Sequence, residues 1–466
     1  MHEQHTLQQL GNVHLLGIGG VGVSAVARLM VARGLNVSGT DAKDLPVLHD
    51  LREAGARINV GYAAGNLGDA DTVVISSIIK AGNPEYDEAV ARGLRILHRS
   101  QGLAAVMEGH RVITVAGTHG KTTTTSLIAS MLRTAGASPT FAIGANIAAL
   151  GTNAEFGEGR IFVAEADESD ASFLNYSPDV AVVTNIEADH LDHYGSVEAV
   201  HRAFYDFASL LPEDGLLICC ADDPGSLALA TRMRKERPAL RVQTYGFAPD
   251  ADRRLVDPHP RGQRFACTLE WGSGENIDLE LALPGNHNLL NAAAAFCVGL
   301  DAGLDPEAVT AGLGAFTGAA RRFDFRGEAG GVRVFDDYAH HPTEVLAALR
   351  AARAVAGTGA VHVLFQPHLF SRTKEFYKEF AASLSLADSA YVLEIYPARE
   401  SPIPGVTSEL VSGELATAGG LVSMGQAAAV VAGVAASGDV IMTIGAGDVT
   451  EQGSAILAAL EERLGH

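Results

Sequence analysis

Residues 111–125 read RVITVAGTHGKTTTT, and the stretch decides the fold class. The run is apolar up to Ala116, turns on Gly117 and Gly120, and passes into TTTSLIASMLRTAG, whose apolar residues recur at helical spacing. A strand that feeds through a glycine turn into a helix is the repeating unit of a parallel α/β sheet. At such a turn the backbone N–H groups and the helix N-terminus make an anion site. Lys121 can then reach outer phosphates and Thr122 can hold Mg²⁺. The loop departs from G-x-x-x-x-G-K-[ST] by two residues missing between the glycines. A solvated lysine in a glycine turn is the bland alternative, but strand, loop, Lys-Thr and helix all occur in the required order.

Working outward, VHLLGIGG from Asn12 reads as a buried strand, followed by a helix VSAVARLMVARG that stops at Gly34. Gly17, Gly19, Gly20 and Gly22 form a G-x-G-x-x-G on that turn, and Asp41 ends the next strand, near the offset of a dinucleotide fingerprint. The physical content is a pyrophosphate on backbone amides with an acid near a ribose. NAD, a UDP-type ligand or a packing turn each satisfy it. NVSGTD, DTVVISS and LRILHRS supply further strands to about residue 106. After the phosphate loop come strand RIFVAEAD, strand VAVVTNIEADH, helix SVEAVHRAFYDFASLL and strand GLLICCADD, then a strand-rich stretch carrying Trp271, then helices NLLNAAAAFCVGLDAG and DPEAVTAGLGAF. The pattern restarts with VRVFDDYAHH, VHVLFQPH, AYVLEIY and DVIMTIGAG between helices. The expected architecture is therefore α/β in three domains: 1–107 Rossmann-like, 108–318 a P-loop ATPase-type parallel or mixed sheet, and 319–466 Rossmann-like.

Composition narrows the partners. With 34 Lys plus Arg against 55 Asp plus Glu the net charge is −21, which opposes binding to nucleic acid or to an anionic membrane. Cys219, Cys220, Cys267 and Cys297 make no C-x-x-C, so neither a disulfide framework nor a zinc ribbon is written here. No leader pattern opens the chain, and the Ala-rich run 427–436 is far shorter than the ~20 apolar residues of a membrane span. A cytoplasmic protein is expected.

Glu165-Ala166-Asp167-Glu168-Ser169-Asp170 ends one strand, and Asp189-His190-Leu191-Asp192-His193 ends a later one. Ligands collect at the carboxyl ends of parallel strands, so these groups can converge on the phosphate loop. Such oxygens with an imidazole suit Mg²⁺ or Mn²⁺ better than zinc, since no thiolate or third histidine stands at ligand spacing. In the third domain Asp336-Asp337-Tyr338-Ala339-His340-His341 and His368-Leu369-Phe370-Ser371-Arg372 repeat the placement. A cation at a helix start opposes the helix dipole, so Arg372 needs an anion to justify it. The histidines are either ligand contacts or turn residues, and Arg321-Arg322 is either a phosphate clamp or a solvated hinge.

AGTHGKTTTT, EADESD, NIEADHLDHY, LPGNHNLLNAAAA, RRFDFRG, DDYAHHPTE and the GIGGVGVS opening together resemble the Mur ligase family, across all three domains. The resemblance implies ATP-dependent ligation of L-alanine to the lactyl carboxylate of UDP-N-acetylmuramate, with the UDP-sugar on the first domain. It implies that Gly117, Thr118, His119, Gly120, Lys121, Thr122 and Thr123 hold ATP. Thr122, Glu165 and His190 match the metal ligands, Asn288 and Asn291 the adenine contacts, Arg322 the phosphate arginine and Asp337 the ribose acid. His340, His368 and Arg372 match the closure and amino-acid site, and Tyr338 the side chain near the incoming alanine. Lys121, His190 and Arg372 are the implied catalytic groups. In two places the chain departs from patterns of the family: Leu369 stands where Arg is frequent, and the helix after His190 has no lysine to carry the carbamate many members use. Three alternatives have discriminating tests. A sibling ligase adding a ready-made peptide differs in its first loop and acidic motif. An NAD-dependent dehydrogenase shows reduced cofactor in the ultraviolet. A nucleotide-gated binding protein releases no phosphate.

Overall fold

The computed structural model describes residues 5–147, 150–261, 264–272, 274–398 and 400–465. Chain contacts divide it into two compact units. One comprises Met1–Asp257, Cys267–Glu280 and Leu290–Phe316; the other comprises Pro258–Ala266, Leu281–Leu289 and Thr317–His466. Among the described residues the long strands lie in three sheets.

The first sheet holds β1 (Val13–Leu16), β2 (Val37–Asp41), β3 (Arg57–Val60), β4 (Thr72–Ile75) and β5 (Arg95–His98) in the order β3-β2-β1-β4-β5, all parallel. Val13 pairs with Val37 on one side and Thr72 on the other, so β1 is the strand from which the chain winds both ways. Its glycine turn thus opens at the topological switch point, where such sheets take ligands. The helix Val21–Ala32 follows, and Gly34 stops it at φ +81° as its position predicts. The sequence reading missed β3, whose Arg57-Ile58-Asn59-Val60 is an exposed edge without an apolar run.

The second sheet holds β6 (Arg111–Ala116), β7 (Thr140–Ile147), β8 (Thr152–Glu155), β9 (Ile161–Glu165), β10 (Val180–Val183), β11 (Leu216–Cys220), β12 (Arg241–Gly246), β13 (Arg253–Arg261), β14 (Arg264–Trp271) and β15 (Glu275–Leu281). Their order is β15-β14-β13-β12-β11-β10-β6-β9-β7-β8. β6 lies between β10 and β9, parallel to both, so the ends of those neighbours flank its phosphate loop. β10 stops at Val183, short of the expected VAVVTNIEADH strand. The backbone leaves the sheet there because Asn185 O accepts the Thr118 amide at 3.2 Å. The helix Pro224–Glu236 also escaped the sequence reading; its cap Asp223 accepts the Ser226 amide at 2.7 Å and the Ile186 amide at 3.0 Å.

The helix Lys121–Thr134 is buried from Thr122 through Leu132. Its hydroxyls are tolerated because they bond back along the chain: Thr125 Oγ1 donates to Lys121 O at 2.8 Å and Ser126 Oγ to Thr122 O at 2.6 Å.

The third sheet holds β16 (Asp324–Ala329), β17 (Val332–Asp337), β18 (Val361–Phe365), β19 (Ser389–Val392), β20 (Ala418–Leu421) and β21 (Val440–Ile444), ordered β16-β17-β21-β18-β19-β20. All pairs are parallel except the β16–β17 hairpin. The four cysteines are free and buried, and among the described residues no helix is long and apolar enough to cross a membrane.

Candidate active site

The phosphate loop is shaped by close packing. Gly117 has φ +139°, and a Cβ there would collide with Thr184 Oγ1. Gly120 caps the helix at φ +81°, and a Cβ would stand 2.7 Å from Asn291 Oδ1. The segment after β10 straps the loop down. Asn185 Oδ1 accepts the His119 amide at 2.7 Å, Asn185 Nδ2 donates to His119 O at 3.0 Å, and the Glu187 amide donates to Thr118 Oγ1 at 2.9 Å. His119 Nε2 lies 3.6 Å from Glu187 Oε2. Thr122 and Thr123 fall in the first helical turn, both buried. Thr124 Oγ1 donates to Asn291 Oδ1 at 3.2 Å, so Asn291 joins this loop. Asn288, one turn earlier on the helix Asn286–Asp301, donates to Pro284 O at 2.8 Å.

Lys121 Nζ donates to Gly117 O at 2.7 Å, Thr118 O at 3.2 Å and Glu168 Oε1 at 2.8 Å. Burial alone would lower its ammonium, but Glu168 and Asp167 outweigh burial and hold it above the usual lysine range. Burial pushes the Glu168 carboxyl up to about 7 against the pull of Lys121. Its other oxygen, Oε2, is buried with no hydrogen-bond partner among the described residues. His190, at φ +55°, places Nε2 3.8 Å from Glu168 Oε1 and 3.7 Å from Asp189 Oδ2. Glu165, at the end of β9, accepts the Gly144 amide at 2.9 Å. Carboxylate, hydroxyl and imidazole donors with an orphaned buried oxygen among them fit a hard divalent cation. The side chain of Asp192 lies outside the described residues.

The glycine turn after β1 is tied by Asp41, whose Oδ2 accepts the Gly19 amide at 2.9 Å and whose Oδ1 accepts the Lys43 amide at 3.2 Å. Gly17 takes φ +69°, and Gly20 closes the turn by donating to Gly17 O at 3.0 Å. Gly22 lies under Arg99: a Cβ there would stand 2.9 Å from Arg99 Nη1. Arg99 Nη2 in turn donates to Asp167 Oδ2 at 3.0 Å. Burial raises the Asp167 carboxyl, but Lys121 and Arg99 outweigh it and hold the group below the usual range. Ser77 Oγ donates to Asp170 Oδ2 at 2.8 Å, and Asn153 Nδ2 donates to Val21 O at 2.9 Å. The first glycine turn and the acidic loop thus share walls.

In the second unit the two arginines separate. Arg321 Nε donates to Asp336 Oδ2 at 3.1 Å and Nη2 to Gly445 O at 2.5 Å, so Arg321 is built into the fold. Arg322 lies with its guanidinium 5.1 Å from the Tyr338 ring centroid, and Arg321 4.9 Å from the same ring. Asp337 accepts the Phe323 and Ala339 amides, each at 2.8 Å, and burial pushes its carboxyl up to about 6 despite Arg322. His340, His368 and Arg372 lie together. The two rings are 5.8 Å apart, and Arg372 Nη1 lies 3.4 Å from His368 Nδ1. His340 Nδ1 is 3.0 Å from Tyr338 O, a contact that makes Nδ1 the protonated nitrogen. Burial pushes the His340 imidazole down to about 3 despite Glu344. Leu369 takes φ +69° and is buried, held by its amide on Tyr396 O at 3.0 Å.

Three sequence profiles account for most of the chain: "Mur ligase family, catalytic domain" matches residues 12–111, "Mur ligase middle domain" 115–299 and "Mur ligase, glutamate ligase domain" 321–447. The chain belongs to the Mur ligase family. It is 62% identical over 454 residues to a UDP-N-acetylmuramate–L-alanine ligase of Paenarthrobacter aurescens, covering 97% of this chain and 98% of that one. A protein of the same description from Arthrobacter sp. is 60% identical, over 98% and 96% of the two chains. Among solved structures, the UDP-N-acetylmuramate–alanine ligase of Thermotoga maritima superposes with TM-score 0.79 at 27% identity, over 97% and 99% of the chains.

Within this Mur ligase the sequence reading passed over Arg99, Asn185, Glu344 and Tyr396. Arg99 falls at the end of the expected strand LRILHRS, where nothing local singles it out. Glu344 had one: three residues after His341, it is placed to fold back on the helix start, and its Oε2 accepts the His340 amide at 2.9 Å and the His341 amide at 3.3 Å. Tyr396 stacks on His368 with centroids 5.9 Å apart and planes 13° from parallel, a contact between distant segments that no local pattern predicts.

Proposed function

We infer that this chain joins L-alanine to the lactyl carboxylate of UDP-N-acetylmuramate, driven by ATP, as a step of peptidoglycan precursor synthesis in the cytoplasm. The observation that carries the chemistry is the placement of Lys121 and the acidic loop beside a second glycine turn, with Gly22, Arg99, Glu165 and Asp167 lining one cavity. Near-full-length identity to ligases of that description supports the substrate pair. We assign 1–107 to the UDP-sugar, 108–318 to ATP and 319–466 to the amino acid.

A carboxylate does not acylate an amine at neutral pH, so it is first activated. The lactyl oxygen attacks the γ-phosphorus of ATP, the bond to the β-phosphate oxygen breaks, and ADP leaves an acyl phosphate. Lys121 donates to the phosphoryl oxygens as charge spreads over them. Backbone amides of the loop cradle the phosphates, and Asn291 holds Gly120 and Thr124 in register. A divalent cation, Mg²⁺ or Mn²⁺, when bound would neutralise phosphoryl charge, held by Thr122, Glu165 and His190. The amine of alanine, once deprotonated, attacks the acyl carbon, and phosphate departs as the amide forms. Arg372 grips the alanine carboxylate, with His368 and neutral His340 beside it and Tyr338 near its side chain. Arg322 and Asp337 are assigned to the phosphate and ribose of the nucleotide. Phosphate release with UDP-N-acetylmuramate and each of a panel of amino acids tests the reading. Release with alanine is expected, and its absence with every amino acid would overturn the assignment.

A further inference from the structure

We propose that Arg99 binds the lactyl carboxylate of the UDP-sugar and aims it at the phosphoryl group. The proposal rests on the substrate reading above. Arg99 is the first residue of the helix Arg99–Met107, where a cation opposes the helix dipole and needs an anion nearby. Asp167 is one such anion, in a half-buried pair whose two side chains are 27% and 35% exposed.

Its position is specific. A cavity of about 70 Å³ is lined by Gly22 of the first glycine turn, Arg99, Gly144, Glu165, Asp167 and Tyr176 among others. That is several times the ~10–15 Å³ that admits one water, and it suits a group of carboxylate size. One wall, Gly22, belongs to the turn assigned to the UDP-sugar. The lining also includes Asp167, next in sequence to the Glu168 that pairs with Lys121 at 2.8 Å. A sugar held by its diphosphate at the first turn therefore brings its acid arm past Arg99 before reaching the phosphate loop. Among the described residues the guanidinium makes one hydrogen bond, from Nη2 to Asp167, which leaves its Nη1 edge toward Gly22 and the cavity. Glu165 and Asp167 would repel an incoming carboxylate, and a forked cation offsets that repulsion while fixing the angle of the attacking oxygen.

Calorimetry separates this role from a structural one. Wild type, Arg99→Gln and Arg99→Lys are each titrated with UDP, with UDP-N-acetylmuramate and with its lactyl carboxamide, which keeps the shape but not the charge. Wild type is expected to favour the acid over the amide by on the order of tenfold to a hundredfold, the range for a hydrogen bond to a charged group. Arg99→Gln should erase that preference, Arg99→Lys should keep part of it, and UDP alone should bind all three alike. A preference that survives in Arg99→Gln, or none in wild type, overturns the role of Arg99 while leaving the substrate assignment standing. Wild type that binds neither UDP nor UDP-N-acetylmuramate overturns both.

Discussion

Lys121 Nζ and Glu168 Oε1 stand 2.8 Å apart in a pair whose carboxylate side is almost closed to solvent. The lysine donates to that carboxylate and to two carbonyls of its own loop, which holds the ammonium at the loop; donation to a phosphoryl oxygen would exchange one of these three bonds. Stripping one partner from a buried pair usually leaves an uncompensated charge. Here Glu168, already pushed up to about 7 by burial, can take a proton instead.

Lys121→Ala should therefore fold while losing ligation, by roughly 10³-fold or more, the scale for removing one preorganised donor. Phosphate release measures the rate, and circular dichroism the fold. A variant keeping a tenth of wild-type turnover would remove Lys121 from the phosphoryl site.

Gly22→Ala is expected to act through Arg99. The new Cβ would stand 2.9 Å from Nη1, the far end of a flexible side chain, so the guanidinium shifts and stability barely changes. KM for UDP-N-acetylmuramate should rise about tenfold, one charged contact's worth, with binding of UDP alone unaltered. Equal losses for UDP and for the full substrate would place the effect in the nucleotide turn itself.

What was legible in the sequence depended on locality. The strand-turn-helix at 111–134 and the glycine turn at 17–22 are contiguous, so hydrophobic period and glycine placement predict them directly. The carboxyl-end rule then brought Glu165 and His190 to the same loop, because β9 and β10 both border β6. Arg99, Asn185 and Tyr396 were not legible, since each acts on a partner from another segment. Arg321 and Arg322 were one ambiguous pair in sequence. Asp336, wholly buried and bonded to Thr443 and Thr450, takes Arg321 into the fold, and Arg322 is the one proposed for the nucleotide.

Arg372→Lys should weaken alanine capture. Arg372 is buried beside His368, and a lysine there supplies a point charge without the planar fork that meets a carboxylate at two atoms. KM for alanine is expected to rise at least about tenfold with UDP-sugar and nucleotide affinity unchanged, the loss of one charged hydrogen bond. Initial rates against alanine concentration check it, and an unmoved KM would reassign the arginine.

His340 sets an acid limit. Burial holds its folded imidazole at about 3, whereas an unfolded histidine titrates near ~6.5. Between those values the unfolded chain binds the extra proton, so this group's contribution is complete above about 6.5 and is lost as pH falls toward 3. Proton NMR should find the His340 ring neutral at pH 5. Hydrogen exchange within 317–466 should show His340→Gln lowering the pH slope of stability by up to ~1.4 kcal/mol per pH unit below 6. A ring that titrates near 6.5 in the folded protein contradicts the assignment.

The last prediction concerns carbon dioxide. Many Mur ligases carry a carbamylated lysine on the helix that follows the metal histidine, where it serves as an anion for the cation. Here the helix Val197–Ala208 reads VEAVHRAFYDFA, and the next lysine in the chain is Lys235, at the end of the helix Pro224–Glu236. A carbamate forms from CO₂ and a neutral amine, and Lys121, the lysine of the phosphate loop, is held charged by Glu168 and Asp167 against the effect of burial. Without a carbamate, the proposed donors Thr122, Glu165 and His190 would be completed by phosphate oxygens and water. Ligation should accordingly run at the same rate in buffer stripped of bicarbonate and in buffer resupplied with it. A rate that falls on stripping and recovers on resupply would mean that another amine takes up CO₂, and that the cation is held by a different donor set.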